Sequence, residues 1–211
     1  MASTCVCCGA CCKNHTIMLT FEDIRRIHAR KPSISLHEYV MIADPAEDEE
    51  IKRVMAEYFP TIKFSDPAGE INGYLALRIR PIQDTFDFKC YFYDLESKHC
   101  GIHVDKPIIC RIYPLWLEGI IEKKDMVSIQ SRLGQDPSSL KVIWKNGRCP
   151  KPWNPLSKEE IESFWKTFAQ LIEELEAYSD EAGIWNDNFR EKALDDLLAF
   201  IIHPKKMKNR V

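Results

Sequence analysis

The sequence predicts an α+β fold: a small cysteine-rich core with short antiparallel strands, flanked by helices and followed by a C-terminal helical segment. Three observations predict it. Capping-box patterns mark helix starts towards both ends of the chain. Stretches rich in β-favouring residues lie between these helices, from about residue 74 to residue 130. Five of the nine cysteines fall within eight positions of the opening MASTCVCCGACC.

Two short helices are predicted after the cysteine-rich opening. The first begins at Thr20, with Asp23 three residues on and isoleucines following on one face. The second begins at Ser35, where Glu38 completes a capping box. The stretch AEDEEIKRVMAEY fits either a third helix or a charged surface connection.

The middle of the chain predicts strands. YLALRIRP and FKCYFYD are rich in alternating or β-favouring residues. IYPLWLEGIIE and MVSIQ suggest further strands, with KPIIC as a short helical turn between the first two and the last two. A loop is predicted to follow, carrying Gly134, Pro137, Gly147 and Pro150.

The C-terminal part predicts two helices. Ser157 and Glu160 form a capping box, and Pro204 stops the last helix. Apolar residues recur at helical spacing and predict packing faces: Ile161, Phe164, Trp165, Phe168, Leu171, Ile172 and Leu175, then Leu194, Leu197, Leu198 and Ile201. We therefore expect a cysteine-cluster metal-binding domain over residues 1–152, with residues 153–211 packed on it as a helical segment.

Charge and hydropathy exclude several classes of protein. With 29 basic and 32 acidic residues the formal charge is −3, which gives no electrostatic case for binding nucleic acid. The basic end HPKKMKNRV is interpreted as a solvated tail. No apolar stretch approaches the roughly 18 residues of a membrane helix, and no secretory signal is visible. We expect a cytoplasmic protein with reduced thiols, no nucleic acid and no membrane partner.

The opening cysteines predict a metal loop. Without Cys7, which breaks the rhythm and is not predicted to be a ligand, they read C-x2-C-x2-C-C, namely Cys5, Cys8, Cys11 and Cys12. Iron–sulfur loops use this rhythm, whereas zinc sites usually use two separated pairs. Gly9 suits the backbone of such a loop. Adjacent side chains diverge, so Cys11 and Cys12 could serve one ion differently or reach two sites.

Four later cysteines must join the loop by folding: Cys90, Cys100, Cys110 and Cys149. Nine residues separate Cys90 from Cys100 and Cys100 from Cys110, too many for one ligand loop. Basic residues adjoin Cys12, Cys90, Cys110 and Cys149, and cations stabilise thiolates. His15, His99 and His103 lie close to cysteines, but we interpret them as solvated or structural because eight thiols already suffice.

These residues carry a resemblance to a known family. The opening motif, Cys90, the block CGIHVDKPIICRIYP from Cys100 to Pro114, and Cys149 together resemble the CxxCxxCC family of zinc- or iron-chelating domains, also called YkgJ-type cysteine cluster proteins. The resemblance runs from about Cys5 to Pro150. It implies that eight cysteines are metal ligands: Cys5, Cys8, Cys11, Cys12, Cys90, Cys100, Cys110 and Cys149. Related clusters occur in flagellin lysine N-methylases.

Three functions follow as hypotheses. The first is a cytoplasmic protein holding an iron–sulfur cluster, or else zinc, with iron–sulfur preferred because adjacent thiols are unusual in tetrahedral zinc sites. The second is an enzyme related to protein-lysine N-methyltransferases, although no glycine-rich donor loop is visible. The third is a metal carrier or adaptor whose helical C-terminus recruits a protein partner. Arg111 is predicted to contact the cofactor, with Tyr113 and Asp105 nearby; a surface pair between Arg111 and Asp105 is the alternative.

Overall fold

The computed structural model describes residues 8–13, 15–43, 59–66, 69–113, 115–117, 142–144, 157–188 and 192–203. After a 3-10 helix at Ala10–Cys12, the helices are α1 Phe21–Arg30, α2 Leu36–Tyr39, α3 Ile108–Ile112, α4 Lys158–Asp187 and α5 Leu194–Ile202. The strands are β1 Val40–Ala43, β2 Ile62–Asp66, β3 Gly69–Leu77, β4 Ile79–Pro81, β5 Phe88–Cys90, β6 Tyr93–Asp94, β7 His99–Cys100, β8 Leu115–Leu117 and β9 Val142–Trp144. Helices with short antiparallel strands confirm the predicted α+β class.

Local side-chain chemistry fixes the helix starts. At α1, the Thr20 hydroxyl accepts a hydrogen bond from the Asp23 amide at 3.0 Å, and the Asp23 carboxylate accepts from the Thr20 amide at 3.1 Å. Capping boxes also begin α2 at Ser35 and α4 at Ser157. The three starts confirm the predictions because a capping box depends only on residues three apart. Residues 46–58, predicted as a helix or a connection, lie outside the described residues.

A three-stranded antiparallel sheet has the order β1-β3-β2. Val40 of β1 lies opposite Leu77 of β3, and Ile62 of β2 lies opposite Gly73. The strand predicted over 74–81 is divided at Arg78, whose amide donates to the Tyr39 carbonyl at 2.7 Å. Beyond Arg78 the chain leaves this sheet and continues as β4, so one predicted strand serves two sheets.

Three two-stranded sheets complete the strands of the described residues: β4–β5, β6–β7 and β8–β9. The strand predicted over 88–94 is interrupted by a turn at residues 91–92, which separates β5 from β6. The loop predicted after residue 130 is corrected in part, because Val142–Trp144 is β9 and pairs with β8. Its residues are β-favouring, and their partner strand lies far along the chain. MVSIQ, at 126–130, lies outside the described residues.

The C-terminal helices pack on the sheet and on α1 in one hydrophobic core. The ring of Phe21 in α1 meets Tyr178 of α4 edge-on, with ring centroids 4.9 Å apart. The indole Nε1 of Trp185 donates to the Lys63 carbonyl of β2 at 2.6 Å. Most residues of the two predicted apolar faces are buried, which confirms them as packing faces. The domain boundary at 152 and 153 lies outside the described residues and stays a prediction.

None of the helices in the described part of the chain is long and apolar enough to cross a membrane.

Candidate metal centre

The N-terminal cysteine loop is a tight turn that only glycine can make. The Cys12 amide donates to the Gly9 carbonyl at 3.0 Å, which closes the 3-10 helix carrying Cys11 and Cys12. Gly9 is left-handed, with φ 77° and ψ 0°, a conformation that costs glycine little. A Cβ atom at Gly9 would stand 2.1 Å from the Tyr93 hydroxyl oxygen. The backbone of the loop at Gly9 therefore packs directly against Tyr93 of β6.

Backbone pairing brings the loop to Cys90. An isolated antiparallel bridge joins Lys13 to Lys89. The bridge brings the neighbouring residues Cys12 and Cys90 close enough for charge on Cys90 to raise the pKa of Cys12. Cys90 also pairs with Ile79 across the β4–β5 sheet, and its side chain is buried. The N-terminal cysteine loop therefore meets Cys90, the first of the later cysteines, at the end of β5.

Cys100 comes to the same place through β6 and β7. It lies directly opposite Tyr93 in this sheet, and opposite residues of antiparallel strands project from the same face. Tyr93 also lies against Gly9 of the cysteine loop, so the same residue adjoins both the loop and Cys100. The sequence predicted that one hairpin returns the chain from Cys90 to Cys100. In the structure the chain passes through a turn at residues 91–92, β6, a second turn and β7.

Cys110 reaches the cluster on α3, a helix of five residues that begins after Pro107. The pKa of its thiol is raised well above the ordinary value, first by burial and then by negative charge on Cys90 and Cys11. Electrostatic interaction of this kind requires short distances. Thiols from the N-terminal loop, β5 and α3 thus lie within electrostatic range of one another, and Cys100 of β7 lies within range of Cys90. That these thiols bind metal together stays a prediction.

The cysteine thiols differ in pKa. The thiols of Cys11 and Cys12 share a hydrogen bond that lowers the pKa of Cys11 to about 7 and raises that of Cys12. Burial raises the pKa of Cys90 to about 11, and negative charge on Cys100 and Cys11 adds to the effect. The hydrogen bond with Cys12 therefore favours the thiolate of Cys11. Metal binding to the others must release protons.

A buried lysine faces these thiols. Lys106 is 5 % exposed, an unusual environment for an ammonium group unless negative charge is close. Its charge acts to lower the pKa of both Cys11 and Cys110. Lys106 therefore supplies positive charge from inside the protein to a cluster that becomes anionic as its thiols ionise.

The predicted ligands divide into those the structure describes and those it does not. Cys11, Cys12, Cys90 and Cys110 are mutual electrostatic neighbours, Cys100 is a neighbour of Cys90, and Cys8 lies half-buried at the start of the same loop. The other positions, namely Cys5, Cys149 and the non-ligand Cys7, lie outside the described residues. Within the described ranges, no group of three or more His, Cys, Asp or Glu is arranged to hold a metal ion.

The donor chemistry of the cluster fits the metals that the sequence suggested. Thiolates are soft ligands, the type taken by zinc and by iron–sulfur clusters and avoided by magnesium and calcium. The six described cysteines are free thiols. Their convergence, the internal cation and the soft donors all suit a centre of this kind, and the complete ligand set stays a prediction.

Arg111 has acceptors outside the thiol group. Its Nε donates to the Lys106 carbonyl at 3.0 Å and its NH1 group to the Gln170 side chain at 3.3 Å. Asp105 pairs with Arg30, with nitrogen and oxygen 3.3 Å apart. Tyr113 follows α3 as its C-terminal cap. The predicted contact of Arg111 with a cofactor stays a prediction, while its observed contacts fix the loop before α3 and join it to α4.

The histidines beside the cysteines lie at the surface of the cluster. His99 is exposed and His103 half-buried, with ring centroids 6.3 Å apart. The His103 amide donates to the Cys100 carbonyl at 3.0 Å, which shapes the turn after β7. The role predicted for the His103 side chain stays a prediction.

Sequence reasoning missed a buried polar group beside the cluster. Asp23 is fully buried and its Oδ1 accepts a hydrogen bond from the Ile108 amide of α3, and Glu174 of α4 is 8 % exposed. Asp23 was visible only as the third residue of a capping box. Two acidic residues on the buried faces of predicted amphipathic helices are the signal that could have found them.

Comparison with known proteins bears on the cysteine-containing part of the chain. No curated protein and no solved structure matches the chain. One family model matches residues 4–150, more than half of the chain, and its description is "Putative zinc- or iron-chelating domain". The matched segment contains every cysteine discussed above and ends before α4. The chain therefore belongs to the CxxCxxCC family of zinc- or iron-chelating domains.

Proposed function

We propose that this protein holds an iron–sulfur cluster, or in its place zinc, through eight cysteines: Cys5, Cys8, Cys11, Cys12, Cys90, Cys100, Cys110 and Cys149. The convergence of thiols from the N-terminal loop, β5, β7 and α3 carries the proposal, because these residues are far apart in sequence. Family membership supports chelation of zinc or iron. We further propose a cytoplasmic location, where such thiols stay reduced.

Two features favour the cluster over zinc. The thiols of Cys11 and Cys12 are adjacent in the chain and share a hydrogen bond, whereas structural zinc sites usually draw on separated pairs. The N-terminal C-x2-C-x2-C rhythm is that of iron–sulfur loops. When bound, such a group would supply either a structural cross-link or a one-electron carrier. The chain's own residues would gather the thiolates, shield Cys90 from water and balance charge with Lys106.

The test is purification without oxygen, followed by iron, zinc and acid-labile sulfide analysis and a visible absorption spectrum. We expect iron and sulfide in equal amounts, with thiolate-to-iron absorption. Stoichiometric zinc without iron or sulfide would reject the cluster and keep the thiol site. Absence of both metals would reject the proposal.

Paired serine variants sharpen the test. Cys90→Ser removes a buried thiol at the meeting point of the loop and β5, and we expect loss of bound metal. Cys7→Ser changes a thiol outside the ligand rhythm and should keep full metal content. Equal metal content in the two variants would remove Cys90 from the ligand set.

A carrier function is a second candidate, favoured by exposure. Cys8, Cys11 and Cys12 are half-buried rather than enclosed, so an acceptor protein could reach their metal. A carrier releases metal to an acceptor faster than to buffer, whereas a structural site keeps it until the protein unfolds. Transfer from the loaded protein to an apo-metalloprotein, timed against loss to buffer alone, separates the two functions.

A further inference from the structure

A layer of buried polar side chains lies next to α3, the helix that carries Cys110. It lies between α1, α3 and α4, and its members include Thr20 and Asp23, both with no exposed surface, and Glu174, which is 8 % exposed. Burying carboxylates in this way is costly unless each one is paired and hydrogen-bonded. We therefore expect all the hydrogen bonds of this layer to be formed whenever α4 packs against α1 and α3.

Asp23 is the centre of the layer. Its Oδ2 accepts from the Thr20 amide at 3.1 Å, and its Oδ1 accepts from the Ile108 amide at 2.9 Å and from the guanidinium of Arg26. Of these donors, the Thr20 amide belongs to the start of α1 and Arg26 to its second turn. Ile108 is 85 positions away in the sequence, so this contact is not part of helix capping at α1.

The contact with Ile108 holds the helix that carries Cys110. Ile108 is the first residue of α3, and Cys110 follows two residues later. The first amides of a helix have no partner within it, so an acceptor there fixes both the position and the direction of the helix. Pro107, the preceding residue, offers no amide of its own. Asp23 therefore supplies a side-chain acceptor to the start of α3.

From α1 the layer continues into α4. The Arg26 NH1 group donates to the Glu174 carboxylate at 3.1 Å. The same carboxylate accepts from the side-chain nitrogen of Gln170, Nε2, at 2.8 Å. The oxygen of Gln170 then accepts from Arg111 at 3.3 Å, and Arg111 lies next to Cys110 on α3. The hydrogen bonds thus leave α3 at Ile108, pass through α1 and α4, and return to α3 at Arg111.

We propose that Asp23 is a positioning residue of the metal centre, acting with Glu174 to hold Cys110 where it can bind metal. The inference rests on the proposed function. It also gives α4 a role, since α4 lies beyond the residues matched by the family model, yet closes the hydrogen-bonded circuit around α3. Outer groups that orient ligands typically change metal affinity by about 10- to 100-fold when removed.

The chain offers a matched control. Glu174 and Glu181 lie on the same helix, and both pair with a neighbouring arginine of α1, Arg26 and Arg25 respectively. Arg25 bonds to α4 and to the Ile201 carbonyl of α5, not to α3. Glu174→Gln and Glu181→Gln therefore make the same chemical change to two α1–α4 pairs, one inside the circuit and one outside it.

The experiment measures metal loss from protein purified without oxygen. Wild type, Asp23→Ala, Asp23→Asn, Glu174→Gln and Glu181→Gln are challenged with excess EDTA well below their unfolding temperatures. We expect metal to leave Asp23→Ala about 10- to 100-fold faster than wild type, and Glu174→Gln to change in the same direction by less. Asp23→Asn keeps an acceptor oxygen for Ile108 and should recover part of the loss. Glu181→Gln should stay within about twofold of wild type.

A spectroscopic readout separates positioning from stability. Circular dichroism in the thiolate-to-metal absorption bands, visible for an iron–sulfur cluster and ultraviolet for zinc, reports thiolate geometry, and it should change in Asp23→Ala and not in Glu181→Gln. If Asp23→Ala does not fold, Asp23→Asn and Glu174→Gln carry the comparison. Unchanged spectra and metal-loss rates in these variants, or equal acceleration in Glu181→Gln, would overturn the inference alone. A wild type without bound metal would overturn the proposed function as well.

Discussion

Replacing Gly9 with alanine tests whether the cysteine loop must lie against β6. The added methyl carbon would stand 2.1 Å from the hydroxyl oxygen of Tyr93 and 2.3 Å from its Cζ atom. Non-bonded carbon atoms normally stay about 3.5–4.0 Å apart. The ring of Tyr93 is 3 % exposed and cannot simply turn into solvent. Either the loop or the ring must therefore move.

Two costs add at this position. A residue with a Cβ in the left-handed region loses about 1–2 kcal/mol relative to glycine, and Gly9 has φ 77°. Overpacking a buried contact costs about 1–3 kcal/mol more. The sum, about 2–5 kcal/mol, opposes the packing of the loop that carries Cys8, Cys11 and Cys12 against β6. Since 1.4 kcal/mol is about tenfold in an equilibrium constant, metal affinity should fall by at least about tenfold.

Gly101→Ala provides the control, because Gly101 follows Cys100 but has an ordinary φ, and its added Cβ would meet only the Phe92 carbonyl, at 3.5 Å. The assay is competition for bound metal against a chelator of known affinity, with unfolding in urea measured in parallel. We expect Gly9→Ala to lose metal affinity and Gly101→Ala to keep it. If the two variants bind metal equally, the loop does not need its observed contact with Tyr93.

Three further predictions concern stability. Gly183→Ala, in the interior of α4 with no atom within 4 Å of the new Cβ, should raise the urea-unfolding free energy by about 1 kcal/mol; a lower midpoint would contradict it. Trp185→Phe leaves the Lys63 carbonyl without its 2.6 Å hydrogen bond and opens space in the core. It should cost about 2–4 kcal/mol in the same assay without reducing metal content; unchanged stability would count against this packing. Asp23→Asn should alter the pH dependence of the metal-free protein, because burial raises the pKa of Asp23 from 3.8 to about 6. The folded state then holds the proton more tightly than the unfolded state. With respect to this group wild type is most stable below pH 3.8 and loses about 3 kcal/mol as the pH rises through 6. Urea unfolding of both proteins across that range measures the difference, and parallel pH profiles would refute it.

The parts of the fold that sequence predicted well are set by local chemistry. The starts of α1, α2 and α4 follow from capping boxes, and each box needs only residues three positions apart. The buried faces of α4 and α5 follow from helical periodicity. The short α3 between Lys106 and Tyr113 was also visible as a helical turn in KPIIC.

The parts that sequence reasoning missed depend on distant partners. β1 and β2 are short strands whose identity comes from pairing with the two halves of β3. β9 acquires its strand conformation from β8, which lies 25 or more positions earlier. The role of Asp23 is hidden for the same reason, because its capping function is local whereas its contact with Ile108 is made only after folding.

The cysteine cluster shows how these two kinds of information combine with electrostatics. Spacing along the chain identified the thiols, but pairing of Lys13 with Lys89 and of Tyr93 with Cys100 is what brings them together. Close to one another, the thiols oppose one another's ionisation, while the hydrogen bond with Cys12 lowers the pKa of Cys11 to about 7. Lys106 supplies one positive charge, fewer than several thiolates require. In the proposed centre a metal ion or cluster supplies the rest, so docking of the N-terminal loop and metal binding should be thermodynamically linked.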